Sequence, residues 1–153
     1  MVKEWVDLTD FWDRGIRIAK GRRKRALGRG TARRNWRVGQ EDAGVLGEIT
    51  YALYCGHSLE NVESEKPDDG EDFPGVNIKG TFRLNKPIHL FLEVYKVPSS
   101  KYQADTKLVL IQIDKEMRRG RILGWALVKD LLKSTIYYYL DDPAYGISYD
   151  RLQ

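Results

Sequence analysis

The sequence contains a single cysteine, Cys55. No internal disulfide is therefore available, and structural zinc sites built on cysteine pairs are excluded. A reducing, cytosolic compartment is the expectation that follows. Long apolar runs are also missing: no stretch approaches the roughly 20 residues that a membrane-spanning helix needs. The segment from Met1 to Asp13 is acidic and aromatic and lacks the basic and apolar regions of a secretory leader. The chain has no internal repeat, no low-complexity linker and no phosphate-cradling glycine loop, since Gly28, Gly30 and their basic neighbours do not fit that pattern. Its two histidines, His57 and His89, lack the spacing of metal ligands. His89 reads as a packed histidine in an apolar strand, His57 as a residue that favours a helix end. Cys55 reads as a small buried hydrophobe.

What is present suffices for a folded domain. At 153 residues, 42% hydrophobic and 31% charged, the chain fits one domain with a real core and does not have the composition of a disordered one. The net charge of +4 says little, but its distribution says more. Lys20, Arg22, Arg23, Lys24, Arg25, Arg29, Arg33, Arg34 and Arg37 fall in one segment that contains no acid. These nine leave the remaining Lys and Arg outnumbered by the 22 Asp and Glu. A concentrated cationic segment on an acidic body is an electrostatic footprint for phosphates, and nine like charges without acids repel one another unless something anionic offsets them. Trp36, beside Arg34 and Arg37, has the chemistry either to stack on a base or to anchor packing.

Periodicity sets the expected elements. A helix is predicted from Thr9 to about Leu27, followed by a break at Gly28, Gly30 and Thr31. A second helix is predicted from about Glu41 to Tyr54, with Val45, Leu46, Ile49, Ala52 and Leu53 at helical spacing and Gly56 as its stop. After the polar stretch Glu60 to Glu71 the period changes to two. Strands are expected over Val76 to Phe82, Ile88 to Val97 and Lys107 to Ile113, the last continuous enough to be a buried central strand. A turn is expected at Arg119-Gly120, then a short strand Arg121 to Trp125 and a short helix Leu127 to Lys133. The tyrosine-rich tail is expected to pack irregularly over the sheet. Helices first and strands later argue for α+β or mixed α/β. Residues 1–40 read as a basic helical extension and 41–153 as the core.

The chemistry is expected around Asp72 and Lys79. Strand alternation puts Asn77 and Lys79 on one face and Val76 and Ile78 on the other. The turn Phe73-Pro74-Gly75 brings Asp72 toward the same groove. An acid, an amide and a lysine at a strand end can hold Mg²⁺ and orient a water, and a carboxylate from another element, Glu48, completes such a site. Each residue also has a plainer reading. Glu48 alone reads as a solvated helix residue, Asp72 as a turn former and Lys79 as an edge-strand lysine that discourages aggregation.

The order helix-Glu, Asp, short hairpin, x-x-Lys resembles the PD-(D/E)xK nuclease superfamily. Gly47-Glu48-Ile49 with Ala52 resembles its first core helix, and the stretch from Asp72 to Lys79 its catalytic hairpin. Lys107 to Ile113 with Arg121-Ile122-Leu123-Gly124-Trp125 resembles the strand pair of small phage-type members. The similarity spans roughly Gly44 to Leu131. It implies a restriction-endonuclease-like fold, with a mixed sheet flanked by helices, and hydrolysis of DNA phosphodiester bonds with Mg²⁺ or Mn²⁺. In that family Glu48, Asp72 and the backbone carbonyl of Ile78 would ligate the metal and Lys79 would position the water. It further implies a phage or mobile-element origin, hence the cytoplasm of a bacterial or phage-infected cell. Asn77 departs from the pattern, which expects an acid there and so a third charge on the metal; in this reading its amide would supply a weak, uncharged ligand. The basic block would track phosphates, of DNA or of RNA, and cutting both strands of a duplex would call for a homodimer. A second reading, favoured by Asn77, is a non-catalytic nucleic-acid-binding or adaptor protein on a degenerate nuclease fold. A third is an interaction protein whose basic arm docks an acidic partner.

Overall fold

Helices dominate the first part of the chain and strands the rest. The computed structural model describes residues 4–28, 39–63, 71–97, 102–140 and 142–153. Among them the elements run β1 (Val6–Asp7), α1 (Trp12–Gly28), α2 (Gln40–Cys55), α3 (Glu60–Glu63), β2 (Val76–Thr81), β3 (His89–Glu93), β4 (Lys107–Asp114), β5 (Arg119–Leu127), α4 (Val128–Leu131), β6 (Thr135–Tyr137) and β7 (Ala144–Ser148). This is a mixed α+β architecture with two sheets and four helices among the described residues. Gly56 ends α2 in the left-handed conformation, its N–H donating to the Ala52 carbonyl.

The first sheet has the strand order β1-β5-β4-β2, with β2 parallel to β4 and the other pairs antiparallel. The second has the order β3-β7-β6 and is antiparallel throughout. Strand β4 is buried from Leu108 to Asp114, as its continuous apolar run predicts. Its alternate residues serve two cores. Val109, Ile111 and Ile113 pack with Val45, Leu46 and Ile49 of α2 and with Leu8, Trp12 and Ala19 from β1 to α1. Leu108 and Leu110 pack with Ile88, Leu90 and Leu92 and with Val128 and Leu131. The layers are therefore helices, first sheet, second sheet. Helix α1 belongs to the first core.

Several expectations are corrected. One central sheet becomes two, because the tail is not irregular: β6 and β7 continue from β3, whose buried Leu90 and Leu92 alternate with outward residues. The strand expected over Ile88 to Val97 is shorter, since Lys96 turns back to pair with Glu93 at 2.9 Å. The turn expected at Arg119-Gly120 lies earlier. Arg118 takes the left-handed conformation, Met117 N–H donates to Asp114 Oδ1 at 3.2 Å, and Arg119 and Gly120 already pair with Asp114 and Ile113. The helix expected over Leu127 to Lys133 is the single turn of α4. Cys55 is exposed at the end of α2 rather than buried.

Candidate metal and nucleic-acid site

The approach of α2 to β2 builds the site. A Cβ on Gly80 would lie 1.9 Å from the Ala43 carbonyl oxygen, so only glycine lets helix and strand come this close. Glu48, one residue from the apolar stripe, is thereby carried into the interior and is only 5% exposed. Its plainer reading as a solvated residue is overturned. Arg22 meets it with a two-pronged contact, Nη1 donating to Oε2 at 2.6 Å and Nη2 to Oε1 at 3.2 Å. Nη2 also donates to the Val62 carbonyl at 2.7 Å.

Asp72 arrives by a separate route. The turn through Phe73 and Gly75, the latter left-handed, brings Asp72 back along β2. Its N–H donates to the Val76 carbonyl at 2.8 Å, and its Oδ2 accepts the Ile78 N–H at 2.6 Å. Among the described residues β2 is an edge strand, so this outward N–H meets no neighbouring strand there, and the carboxylate occupies that place. The N–H and C=O of one strand residue point to the same side, which turns the Ile78 carbonyl toward the same edge. Burial, then the Asp72 carboxylate, pushes Glu48 up to about 8, and Arg22 opposes the shift. Burial works against the charge on Arg22, but Glu48, Glu41 and Asp72 outweigh it and hold the guanidinium above its ordinary value.

Asn77 and Lys79 lie on the next face of the strand. Ile78 faces α2, so alternation turns its neighbours to the other face of β2. Asn77 is buried there. Lys79 Nζ lies 3.4 Å from the Tyr102 hydroxyl and 5.5 Å from the centre of that ring. It also acts on Glu93 of β3. Burial opposes ionisation of Glu93, yet Lys79 and Lys96 hold its carboxyl below the usual range. The described contacts thus bring Glu48, Asp72 and the Ile78 backbone together, and they place Lys79 beside Tyr102 and Glu93. No group of three or more His, Cys, Asp or Glu suited to a metal occurs among the described residues.

The cationic segment divides as well. Arg29, Arg33, Arg34, Arg37 and Trp36 lie outside the described residues. Arg22 faces Glu48, and Arg23 pairs with Asp42 at 3.6 Å, so acids from α2 offset part of the repulsion within the chain itself. Arg17, Lys20 and Lys24, at helical spacing, are exposed in one row. Sequence reading missed the role of Arg22, and it missed Glu93 and Tyr102 altogether. A signal for Arg22 existed: the buried row Trp12, Gly15, Ala19 on α1 continues at that position. No helix among the described residues is long and apolar enough to cross a membrane. No protein family, curated protein or solved structure matches this chain.

Proposed function

We propose that this chain is a metal-dependent nuclease that hydrolyses DNA phosphodiester bonds, on a restriction-endonuclease-like arrangement of its first sheet and α2. The observation that carries this reading is the meeting of Glu48 and Asp72, from separate elements, beside the outward backbone of Ile78 at what is a sheet edge among the described residues. Two carboxylates and a carbonyl are the hard oxygen donors that suit Mg²⁺ or Mn²⁺. Glu48, Asp72 and the Ile78 carbonyl are the groups that would hold the ion. Asn77, an amide on the opposite face of the strand, adds no charge to them. When bound, such an ion polarises a phosphate and lowers the pKa of an attacking water. Arg22 neutralises the carboxylates in its absence and, once released from Glu48, is suited to a phosphate oxygen. The exposed row Arg17, Lys20 and Lys24 supplies sequence-independent contacts to the phosphate backbone.

The test is calorimetric titration of Mg²⁺ and Mn²⁺ into wild type and Asp72→Ala, with supercoiled-plasmid cleavage on the same samples. Binding and cleavage in wild type, both lost in the variant, are expected. The second reading, nucleic-acid binding without hydrolysis, is favoured by Asn77 in place of an acid and by the engagement of Lys79 with Tyr102 and Glu93. DNA binding without metal heat or cleavage would select it.

A further inference from the structure

The outward face of the second sheet carries a feature that the carboxylate pair does not use. A cavity of about 310 Å³ opens over β6 and β7. Its cations are Lys133 and Arg151, its hydroxyls Ser134, Thr135 and Ser148, its aromatic wall Tyr137, and its one acid Asp130. Lys133 and Arg151 are exposed and form no salt bridge among the described residues. The volume lies at the small end of the ~300–1,000 Å³ typical of ligand pockets, the scale of one nucleotide unit.

The wall of this cavity belongs to a ring cluster. Register sets Phe91 of β3 opposite Gly146 of β7, and Gly146 opposite Thr135 of β6. Leu90 and Leu92 face the inner core, so His89 and Phe91 face outward with Thr135 and Tyr137. His89 stacks on Phe91 at 5.3 Å, Tyr137 meets Phe91 edge-on at 5.6 Å, and Tyr139 meets Tyr137 edge-on at 5.8 Å. The Tyr137 hydroxyl lies 3.3 Å from His89 Nε2. A Cβ on Gly146 would come within 2.7 Å of the Phe91 ring and 2.8 Å of the Tyr137 ring, so this glycine is what lets both rings close over the strand. Tyr139 is 72% exposed, with its neighbour Tyr138 at 73%.

We propose that this face binds single-stranded nucleic acid, with a phosphate at Lys133 and Arg151 and a base on the Tyr137 and Tyr139 rings. Aromatic rings next to exposed cations complement a strand that offers a flat base and a negative phosphate in every unit. A duplex keeps its base faces stacked and cannot use the rings. The face lies on the far side of the first sheet from α1 and α2, and its ligand needs no hydrolysis, so the proposal goes beyond the nuclease reading.

The test is fluorescence anisotropy of labelled oligothymidylate and of a hairpin duplex, without divalent metal. Wild type is expected to bind the single strand more tightly than the duplex. Lys133→Ala combined with Arg151→Ala should weaken single-strand binding about tenfold and reduce the slope of log K against log salt by about 0.7 per contact removed. Tyr139→Ala should weaken it by about fivefold and leave the salt slope unchanged. Oligonucleotides carrying 5-iodouracil should photo-crosslink to Tyr137 or Tyr139. All of these side chains except Tyr137 are exposed, and circular dichroism of the variants checks that the fold persists. Wild-type affinity in both variants would overturn the proposal. So would crosslinks confined to residues 12–28, or thymidine monophosphate binding as tightly as the strand. Asp72→Ala, run in parallel, separates the two readings: lost cleavage with intact single-strand affinity concerns only the carboxylate site.

Discussion

The two faces of β2 present opposite charge arrangements. On the α2 side three carboxylates, Glu48, Asp72 and Glu41, act on one guanidinium, that of Arg22. On the other side two ammonium groups, Lys79 and Lys96, share one carboxylate, that of Glu93. Burial pushes both glutamates toward the neutral form. Glu48 nevertheless rises to about 8 while Glu93 falls below its ordinary value. Desolvation thus does not fix the sign of a shift; the number of like and unlike neighbours does. A site able to accept a cation is one with a surplus of acid, and of these two groups the one on the α2 face has it.

The comparison breaks most completely if α2 leaves β2. Gly80→Ala forces a methyl group against the Ala43 carbonyl. A loss of about 3 kcal/mol or more in urea unfolding is expected, and wild-type stability would mean that helix and strand do not touch there. Arg22→Ala comes next. It leaves Glu48 buried without its partner and should destabilise by about 3 kcal/mol at pH 8, less at pH 6, where Glu48 keeps its proton. If the proposed metal site is right, Mg²⁺ should restore more stability to this variant than to wild type in thermal melts.

Glu48→Gln tests the sign of the shift. Folded Glu48 holds its proton up to about 8, whereas the unfolded chain loses it near 4.5. Between these values the folded state binds more protons, so stability falls as pH rises through that window. Removing the titrating group should flatten this part of the Tm-against-pH curve. An unchanged slope would show that another group is responsible. The smallest effect is expected for Lys79→Met. The lowered Glu93 contributes stability above its unfolded value and loses it as pH falls through its folded value. The variant should lose less than about 1 kcal/mol at pH 7 and nothing in acid. Plasmid cleavage should persist, and its abolition would join the two faces into one site.

Much of this was legible in the residues. Val45, Leu46, Ile49 and Ala52 predict α2, the apolar run from Lys107 predicts a central strand, and Phe73-Pro74-Gly75 predicts a turn leading into a strand. Glu48 and Asp72 were recognisable as a pair because one borders an apolar stripe and the other precedes a turn. What the residues did not show was the company of Lys79, because its partners are distant in sequence: β3 brings Glu93, and a loop brings Tyr102, to the face that Lys79 already occupied. Local alternation fixes which face a side chain takes, not what lies opposite it. The tail was opaque for the same reason. The short strands β6 and β7 become strands only because β3 offers a pairing edge.

The hydrogen bond from Ile78 N–H to Asp72 Oδ2 gives the protein a built-in reporter. An amide on an edge strand ordinarily exchanges with solvent quickly, yet this one is covered by a carboxylate. Any ligand that draws Asp72 away must uncover it, whatever that ligand's chemistry. The deuterium uptake of a single backbone position would then register occupancy of the site without a substrate, a label or an assay of turnover.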